Sequence, residues 1–173
     1  MITGKEIKRQ IELGNIVIKP FDESRLNPNS YNITLNNELV VYDENVLDMK
    51  KPNKTHKVII PEEGLVLEPN KLYLGRTNEY TETRNFVPCI DGRSSIGRLG
   101  LFIHATAGFG DVGFKGTWAL EIQCIQPIRI YPNTEIGQLY YEQVQGEQTL
   151  YSGKYLNQID ATPSKMNMDF DKR

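Results

Sequence analysis

Short apolar runs separated by proline, glycine and asparagine limit the fold of this chain more than any other feature of its sequence. The runs are too short and too closely spaced for a protein built mainly of helices. Many short strands between turn-forming residues are typical of a β sandwich or a jelly-roll-like fold. We expect strands at 16–18, 31–35, 39–42, 58–60, 65–67, 71–75, 85–90, 102–104, 118–124, 128–130 and 138–144.

The start of the chain is the exception, because its pattern predicts a helix. Thr3 and Glu6 have the spacing of a capping box, in which threonine caps the helix and glutamate lies three residues on. Ile7 and Ile11 are four residues apart and share one helical face, and Gly14 can end the helix.

The length of the chain, 173 residues, is enough for one domain with its own hydrophobic core. No repeat or linker divides it, and the mostly polar stretch 43–56 is expected to form an excursion at one end of the fold. We expect residues 1–145 to form the β domain and residues 146–173 to form a tail of the same domain. By composition alone, this polar tail is typical of disorder.

The charge pattern excludes several classes of partner. The formal net charge is −2 and the basic residues are spread out, so binding to a nucleic acid polymer is not expected.

The chain starts without the pattern of a signal peptide, and no apolar run approaches the length that spans a membrane. Cys89 and Cys124 stand far apart, which fits a reducing cytoplasm and two small core residues.

The same residue types bear on metal binding. His56 and His104 are the only histidines beside the two separate cysteines, so local spacing cannot assemble a tetrahedral zinc site. We therefore expect no zinc. His104 follows the apolar Ile103 and is expected to be a hydrogen-bonded structural residue.

A glycine-arginine-serine-serine motif, residues 92–95, follows the expected strand 85–90 and precedes a short segment that Gly100 ends. A serine pair before such a turn is an N-cap signal, and the N–H groups at a helix start attract anions. If the turn is helical, Ser94 and Arg98 share one face, and arginine can hold two phosphate oxygens at once. Taken alone, the motif is more often a capped turn with solvated arginines.

Two acidic residues follow the motif. Glu121 lies between Leu120 and Ile122 in the expected strand 118–124, and a glutamate in such a strand is rarely fully buried without a partner. A carboxyl group removed from water holds its proton more tightly, which suits proton transfer near neutral pH. The alternative is an exposed glutamate on the outer face of a sheet. Asp111 lies among closely spaced glycines and either bonds its own turn, or grips a sugar hydroxyl or a water.

In the same order along the chain, these motifs resemble those of the dCTP deaminase family, trimeric relatives of dUTPase. The resemblance is strongest over residues 92–122 and includes 28–35, 136–139 and 152–158. It implies a mainly β, dUTPase-like distorted jelly-roll or sandwich, with a short N-terminal helix and another after the glycine-arginine-serine-serine motif. It also implies a homotrimer with sites between subunits, and a C-terminal segment that closes over the nucleotide as a lid.

The resemblance also implies roles for individual residues. Glu121 would be the general base and acid, Asp111 would contact the deoxyribose, and the backbone at Ala119 and Leu120 would line the base pocket. The arginines and serines of the motif would bind the triphosphate, and Tyr151 is a looser match than the rest. The implied nucleotide-binding residues are Arg93, Ser94, Ser95, Ile96, Gly97, Arg98, Asp111, Ala119, Leu120, Gln138, Tyr151, Lys154 and Gln158.

The implied reaction is zinc-independent deamination of dCTP to dUTP, with Mg²⁺ bound through the phosphates of the substrate. One branch of the family goes on to dUMP and pyrophosphate. Gly108 after Thr106 and Ala107 matches that branch, whereas Gly110 stands where many relatives have isoleucine. Thr106 also lies in the loop that the family's inhibition by dTTP involves. The alternatives are a plain dUTPase, which lacks a carboxylate at the position of Glu121, and a regulator that binds nucleotide without turnover.

Overall fold

The computed structural model describes residues 1–171, and most of its ordered elements are antiparallel β-strands. Its α-helices are α1, Gly4–Glu12, and α2, Ser94–Gly97, and 3-10 turns lie at Glu23–Arg25 and Met166–Asp169. The strands are β1 Ile16–Lys19, β2 Tyr31–Thr34, β3 Glu38–Tyr42, β4 Thr55–Ile59, β5 Leu65–Leu67, β6 Tyr73–Thr83, β7 Phe86–Gly92, β8 Leu101–Phe102, β9 Lys115–Cys124, β10 Ile128–Ile130 and β11 Glu135–Gln143. The prediction of a mainly β fold with two short helices is confirmed.

The strands form three antiparallel sheets. The largest has the order β4-β3-β6-β9-β8, and β1 pairs with the C-terminal part of β6. A second sheet has the order β2-β11-β7, and β5 pairs with β10 in a two-stranded ribbon. Fully buried side chains of the two larger sheets, including Ile33, Leu139, Leu120 and Ile122, belong to one core. The arrangement is a distorted β sandwich.

Helix α1 uses half of the predicted capping box. The hydroxyl oxygen of Thr3 accepts the N–H of Glu6 at 3.2 Å. The carboxylate of Glu6 does not return to the cap, because it accepts hydrogen bonds from Arg9 and Gln10. Gly14 follows with a φ of 72°, a left-handed conformation that ends the helix. Neither helix within residues 1–171 has the length and apolar character that crossing a lipid bilayer requires.

Strand β6 is longer than the expected strand 71–75. Its C-terminal part alternates in burial, and the buried positions are polar: Thr77, Glu79, Thr81 and Thr83. Hydrogen bonds satisfy these side chains, as buried polar groups require. The prediction from apolar residues therefore ended strand β6 too early, at residue 75.

The tail after β11 returns to β9 and pairs with its edge. Asn157 N–H donates to Lys115 O at 2.8 Å, and Thr117 N–H donates to Gln158 O at 2.9 Å. Gly116 permits this approach, because a Cβ at that position would lie 2.4 Å from Gln158 O. The tail thereby covers the start of β9.

Candidate active site

A cleft of about 420 Å³ lies between one face of β9 and the tail that returns to it. This volume is within the range of small-molecule sites. Most of the lining comes from β9, from the loop 105–111 and from the tail between 151 and 164, and it is completed by Tyr42, Leu72, Leu74 and Phe114. Separate segments of the chain therefore bring polar groups to one concave space.

Glu121 reaches the cleft because side chains alternate along β9. Leu120 and Ile122 are fully buried in the core, whereas Glu121 lines the cleft and is only partly buried. Its Oε2 accepts the N–H of Ala105 at 3.1 Å, and its own N–H donates to Ile103 O at 2.8 Å. The apolar neighbours Leu120 and Ile122 lie on the opposite face of the strand. The carboxylate stays open to the cleft.

Asp111 and Ala119 also line the cleft. The backbone oxygen of Asp111 closes its turn by accepting the N–H of Phe114 at 3.1 Å, and the residue is exposed. The backbone thus makes the turn's hydrogen bond, which leaves the carboxylate available to a ligand. Leu120 offers only its backbone, because its side chain is in the core.

Tyr151 is held in the cleft wall by aromatic packing. Its N–H donates to Val112 O at 2.7 Å, and its ring centroid lies 6.1 Å from that of Phe114. Phe114 in turn packs against Trp118 of β9 with ring centroids 5.1 Å apart. The looser sequence match at Tyr151 therefore does not keep this residue away from the cleft.

Gln158 is fixed against β9 by its side chain as well as its backbone. Its Nε2 donates to Thr117 O at 3.0 Å. Its Oε1 is buried and has no hydrogen-bond partner within residues 1–171. A buried acceptor is costly to leave unpaired, so a ligand or a water that donates to it is favoured here.

The turn 93–98 is a second polar region, and none of its residues lines the cleft. The turn is helical as expected, and the N–H of Arg98 donates to Ser94 O at 3.1 Å. The predicted serine cap is wrong, because Arg93 takes the N-cap position and no side chain caps α2. The serines fall inside the helix instead, and Ser94, Ser95 and Arg98 are all exposed.

An ion pair below the turn holds Arg93. Its Nη1 lies 2.9 Å from Glu135 Oε2 and donates to Glu135 O at 3.0 Å. Glu135 also accepts a hydrogen bond from Asn32 at 2.8 Å. This network was not predicted from the sequence. The available signal was Asn32, a polar residue within an apolar strand, but its partner is 103 residues away in sequence.

Gln138 supports the same turn. Its Oε1 accepts the hydroxyl of Ser30 at 2.9 Å, and its Nε2 donates to Gly92 O at 3.3 Å. Ile96 is partly buried and packs on the core, while Gly97 is exposed. Of the residues implied by the resemblance, the structure thus gathers Asp111, Ala119, Glu121, Tyr151 and Gln158 at the cleft and the rest elsewhere.

Comparison with known proteins decides the family. A family model described as dCTP deaminase-like matches residues 1–144. The chain belongs to this family. A protein of Clostridium botulinum (strain Alaska E43 / Type E3) named "dCTP deaminase, dUMP-forming" is 64% identical over 173 residues, which is 99% of each chain. A protein of Cytophaga hutchinsonii with the same name is 60% identical over 173 residues, again 99% of each chain.

The fold of this dCTP deaminase-like protein also matches a solved structure, the 2'-deoxycytidine 5'-triphosphate deaminase from Agrobacterium tumefaciens. The TM-score is 0.65 at 18% identity, and the match covers 83% of this chain and 48% of that chain. The chain therefore spans about half the length of that protein. At this identity the likeness establishes the fold alone, which confirms the dUTPase-like fold class of the dCTP deaminases.

The loop before β9 in this dCTP deaminase-like protein has room only for glycine at position 108. A Cβ on Gly108 would lie 2.6 Å from Ile90 O and 3.1 Å from a ring carbon of His104. Ile90 N–H donates to Gly108 O at 2.7 Å, which ties the loop to β7. His104 does not line the cleft, and its Nε2 lies 3.5 Å from Asp91 Oδ1. Gly108 therefore fixes the path of the loop that also supplies Ala105.

The two cysteines of this dCTP deaminase-like protein are free and buried, which confirms that they are core residues. Burial raises the pKa of the Cys89 thiol and of the Cys124 thiol. A raised pKa favours the protonated, unreactive thiol. Neither cysteine is therefore a candidate nucleophile.

Proposed function

We propose that this protein converts dCTP to dUTP and ammonia, and then hydrolyses dUTP to dUMP and pyrophosphate. The observation that carries the proposal is the Glu121 carboxylate, held by Ala105 N–H in the wall of a cleft of ligand size. Whole-length relatives at 60% and 64% identity that are named for this activity support it.

Glu121 performs the proton transfers of the deamination. One carboxylate oxygen is occupied by Ala105 N–H, so the other takes a proton from water. The water oxygen then bonds to C4 of the cytosine ring, and the carboxyl group gives the proton to N3. It next takes the remaining proton from the C4 hydroxyl and gives it to the amino group, while the C4 carbonyl forms. The bond from C4 to the amino nitrogen breaks, ammonia leaves, and uracil remains. General acid–base assistance of this kind contributes roughly 10²–10⁴-fold.

The tail and β9 recognise the nucleoside. Gln158 Oε1, a buried acceptor without a partner in residues 1–171, accepts a hydrogen bond from the 4-amino group of cytosine. The 4-carbonyl of uracil cannot donate such a bond, so this contact favours the cytosine base. The backbone at Ala119 lines the base pocket, Tyr151 walls it, and the exposed Asp111 at the cleft contacts the deoxyribose.

A second copy of the chain completes the cleft with its own turn 93–98, and the assembly is a homotrimer. Three observations support this: the turn is absent from the cleft of its own protomer, its serines and Arg98 are exposed, and apolar residues adjoin it. Leu99, Phe102 and Ile125 are 56%, 50% and 69% exposed, which is typical of an interface. The mass in solution, measured by light scattering, tests this part.

The second hydrolysis needs a water that attacks the α-phosphorus of dUTP, so that the bond to the bridging oxygen breaks and pyrophosphate leaves. No group of three or more His, Cys, Asp or Glu side chains within residues 1–171 could hold a metal ion. Mg²⁺ needs few protein ligands when substrate phosphates bind it, so we assign it to the triphosphate. Phosphate oxygens and waters suit its octahedral shell.

Three further assignments belong to this proposal. Residues 146–171 close over the bound nucleotide as a lid, which excludes water from the cleft and brings Lys154 to the triphosphate. dTTP, a pyrimidine triphosphate like the substrate, occupies the same cleft as an inhibitor, and Thr106 lies in the adjoining loop. The enzyme works in the cytoplasm, a reducing compartment that suits its free thiols.

The test supplies dCTP, dUTP and dCMP separately to the wild type and to Glu121→Gln, and measures ammonia and nucleotide products. We expect dUMP and ammonia from dCTP, and at least a 10²-fold loss of ammonia release in Glu121→Gln with dUTP hydrolysis retained. Glu62→Gln, the same change at an exposed carboxylate outside the cleft, is the control.

Each alternative has its own result in this experiment. Hydrolysis of dUTP without ammonia from dCTP indicates a plain dUTPase, and binding without any turnover indicates a regulator. dUTP as the only product at full conversion contradicts the second step. Ammonia release by Glu121→Gln at the wild-type rate contradicts the role of Glu121.

A further inference from the structure

Residues 164–169 fold back on the preceding part of the tail. The 3-10 turn Met166–Asp169 brings Asp169 to Lys154, whose Nζ donates to Asp169 Oδ2 at 2.5 Å. Lys165 Nζ donates to the backbone oxygen of Lys154 at 2.8 Å, so both ends of this lysine are held. We call residues 164–169 the strap.

The strap also supports the wall of the cleft. Tyr155 lines the cleft, and its hydroxyl oxygen accepts the N–H of Lys165 at 2.9 Å. The ammonium groups of Lys154 and Lys165 lie 5.9 Å and 5.5 Å from the Tyr155 ring centroid, within the range of cation–π contact. A displacement of the strap therefore displaces a residue that shapes the site.

A hydrogen bond to the main sheet anchors the strap. Ser164 N–H donates to the hydroxyl oxygen of Tyr42, the last residue of β3, at 3.0 Å. Tyr42 and Ser164 both line the cleft. The strap thus runs from the sheet to Lys154 and contacts Tyr155 between them.

The ion pair matters because a lysine side chain is long and flexible. An unrestrained lysine loses rotamer freedom when it binds an anion, which weakens the interaction. Asp169 removes that freedom in advance and occupies one of the three ammonium donors, so two remain for phosphate oxygens. The side chain of Lys154 is 24% exposed, so solvent screens the pair only in part.

We infer that Asp169 is a positioning residue: it holds the Lys154 ammonium and the tail in the arrangement that receives the triphosphate of the substrate. The inference rests on the proposed function, and within it assigns a role to the strap. Asp169 touches neither the substrate nor the reacting atoms, and it acts through Lys154. If Asp169 instead competed with phosphate for Lys154, Asp169→Asn would lower the KM for dCTP.

The experiment compares wild type, Asp169→Asn and Asp169→Glu, with Asp160→Asn as the matched control. Asp169→Asn removes the charge and keeps the shape, and we expect KM for dCTP to rise about 5- to 10-fold while kcat changes less than about 3-fold. Asp169→Glu, which restores the charge, should recover most of the affinity. Asp160→Asn removes the same charge from the exposed part of the tail and should keep the wild-type KM.

A second measurement uses the same Asp169 variants with Glu121→Gln added, so that dCTP is not consumed during the assay. Trypsin cleaves after Lys154 and Lys165 when the tail is open, so the dCTP concentration that gives half protection reports binding. This dCTP concentration should rise in Asp169→Asn, as KM does, and should fall back towards the wild-type value in Asp169→Glu.

The two proposals fail in different ways. An unchanged or lowered KM in Asp169→Asn, with unchanged protection, overturns the positioning role while leaving the enzyme's reaction intact. A wild type that dCTP protects from trypsin but that releases no ammonia overturns the reaction, and the protection midpoints then decide the role of Asp169. Equal effects of Asp169→Asn and Asp160→Asn show a general charge effect of the tail and also overturn the inference.

Discussion

The buried ion pair between Arg25 and Glu79 allows a quantitative test of the fold. Glu79 lies in β6 with no exposed surface, and Arg25 Nη1 donates to its Oε1 at 2.6 Å. Thr34 supplies two more donors, its N–H at 2.9 Å and its hydroxyl at 2.8 Å. Since Thr34 lies in β2, the carboxylate joins the two larger sheets. We therefore predict that Arg25→Met destabilises the protein strongly.

The magnitude follows from the charge that is left behind. Removing one partner of a buried pair costs about 3–5 kcal/mol, because the remaining charge is desolvated without compensation. The lower end applies here, since both Thr34 bonds persist and the Arg25 side chain is 24% exposed. About 3 kcal/mol in a chain of this length lowers Tm by roughly 6–12 °C. Adding Glu79→Gln to Arg25→Met removes the stranded charge and should recover at least about 1 kcal/mol.

Urea unfolding at pH 7 and a fixed protomer concentration measures both effects, because self-association would otherwise contribute to stability. Lys8→Met is the matched control, since it breaks the exposed pair between Lys8 and Glu23 and should leave the midpoint near the wild type. A cost of Arg25→Met below about 1 kcal/mol, the range of surface pairs, would refute the reasoning. A double variant less stable than Arg25→Met would refute it as well.

Two further predictions concern the loop and the first helix. Gly108→Ala places a Cβ 2.6 Å from Ile90 O and should displace the loop. We expect kcat for deamination to fall about 10²-fold while the circular dichroism spectrum stays unchanged. Ammonia release at the wild-type rate would contradict this prediction. Hydrogen bonds from Arg9 and Gln10 lower the pKa of Glu6 from 4.5 to about 2. Because the folded-state pKa is the lower one, Glu6 stabilises the protein fully above pH 4.5 and loses this effect as the pH falls towards 2. Glu6→Gln should therefore lower Tm at pH 7 and match the wild type near pH 2, as measured by thermal scans; a constant difference in Tm at all pH values would exclude the linkage.

The strands that the sequence predicted are those in which apolar residues repeat between turn formers. The second half of β6 was missed for the reason that its inward positions are Thr77, Glu79 and Thr81, whose burial depends on hydrogen bonds from distant residues. Local pattern carries no information on such partners. The pairs of Asn32 and Arg93 with Glu135 were inaccessible for the same reason.

The sequence predicted the residues of β9 and of the tail that lie at the site, but it did not predict that the turn 93–98 lies outside the cleft. Alternation in β9 put Glu121 on one face with Ala119, and the tail residues Tyr151 and Gln158 reached the same cleft. The turn 93–98 did not, although it lies only a short way along the chain from Glu121. Sequence proximity shows that two motifs occur together, but the path of the chain between them decides whether they share a pocket in one protomer.

The pairing of the tail with β9 has a consequence for handling the protein. In the proposed lid motion the tail opens to admit substrate or release products, and the backbone groups of residues 115–117 on that side of the strand then lose their partners. An uncovered strand edge is a template on which another molecule can add a strand. We therefore expect precipitation on storage in solutions without nucleotide. A bound nucleotide that keeps the tail docked should reduce it.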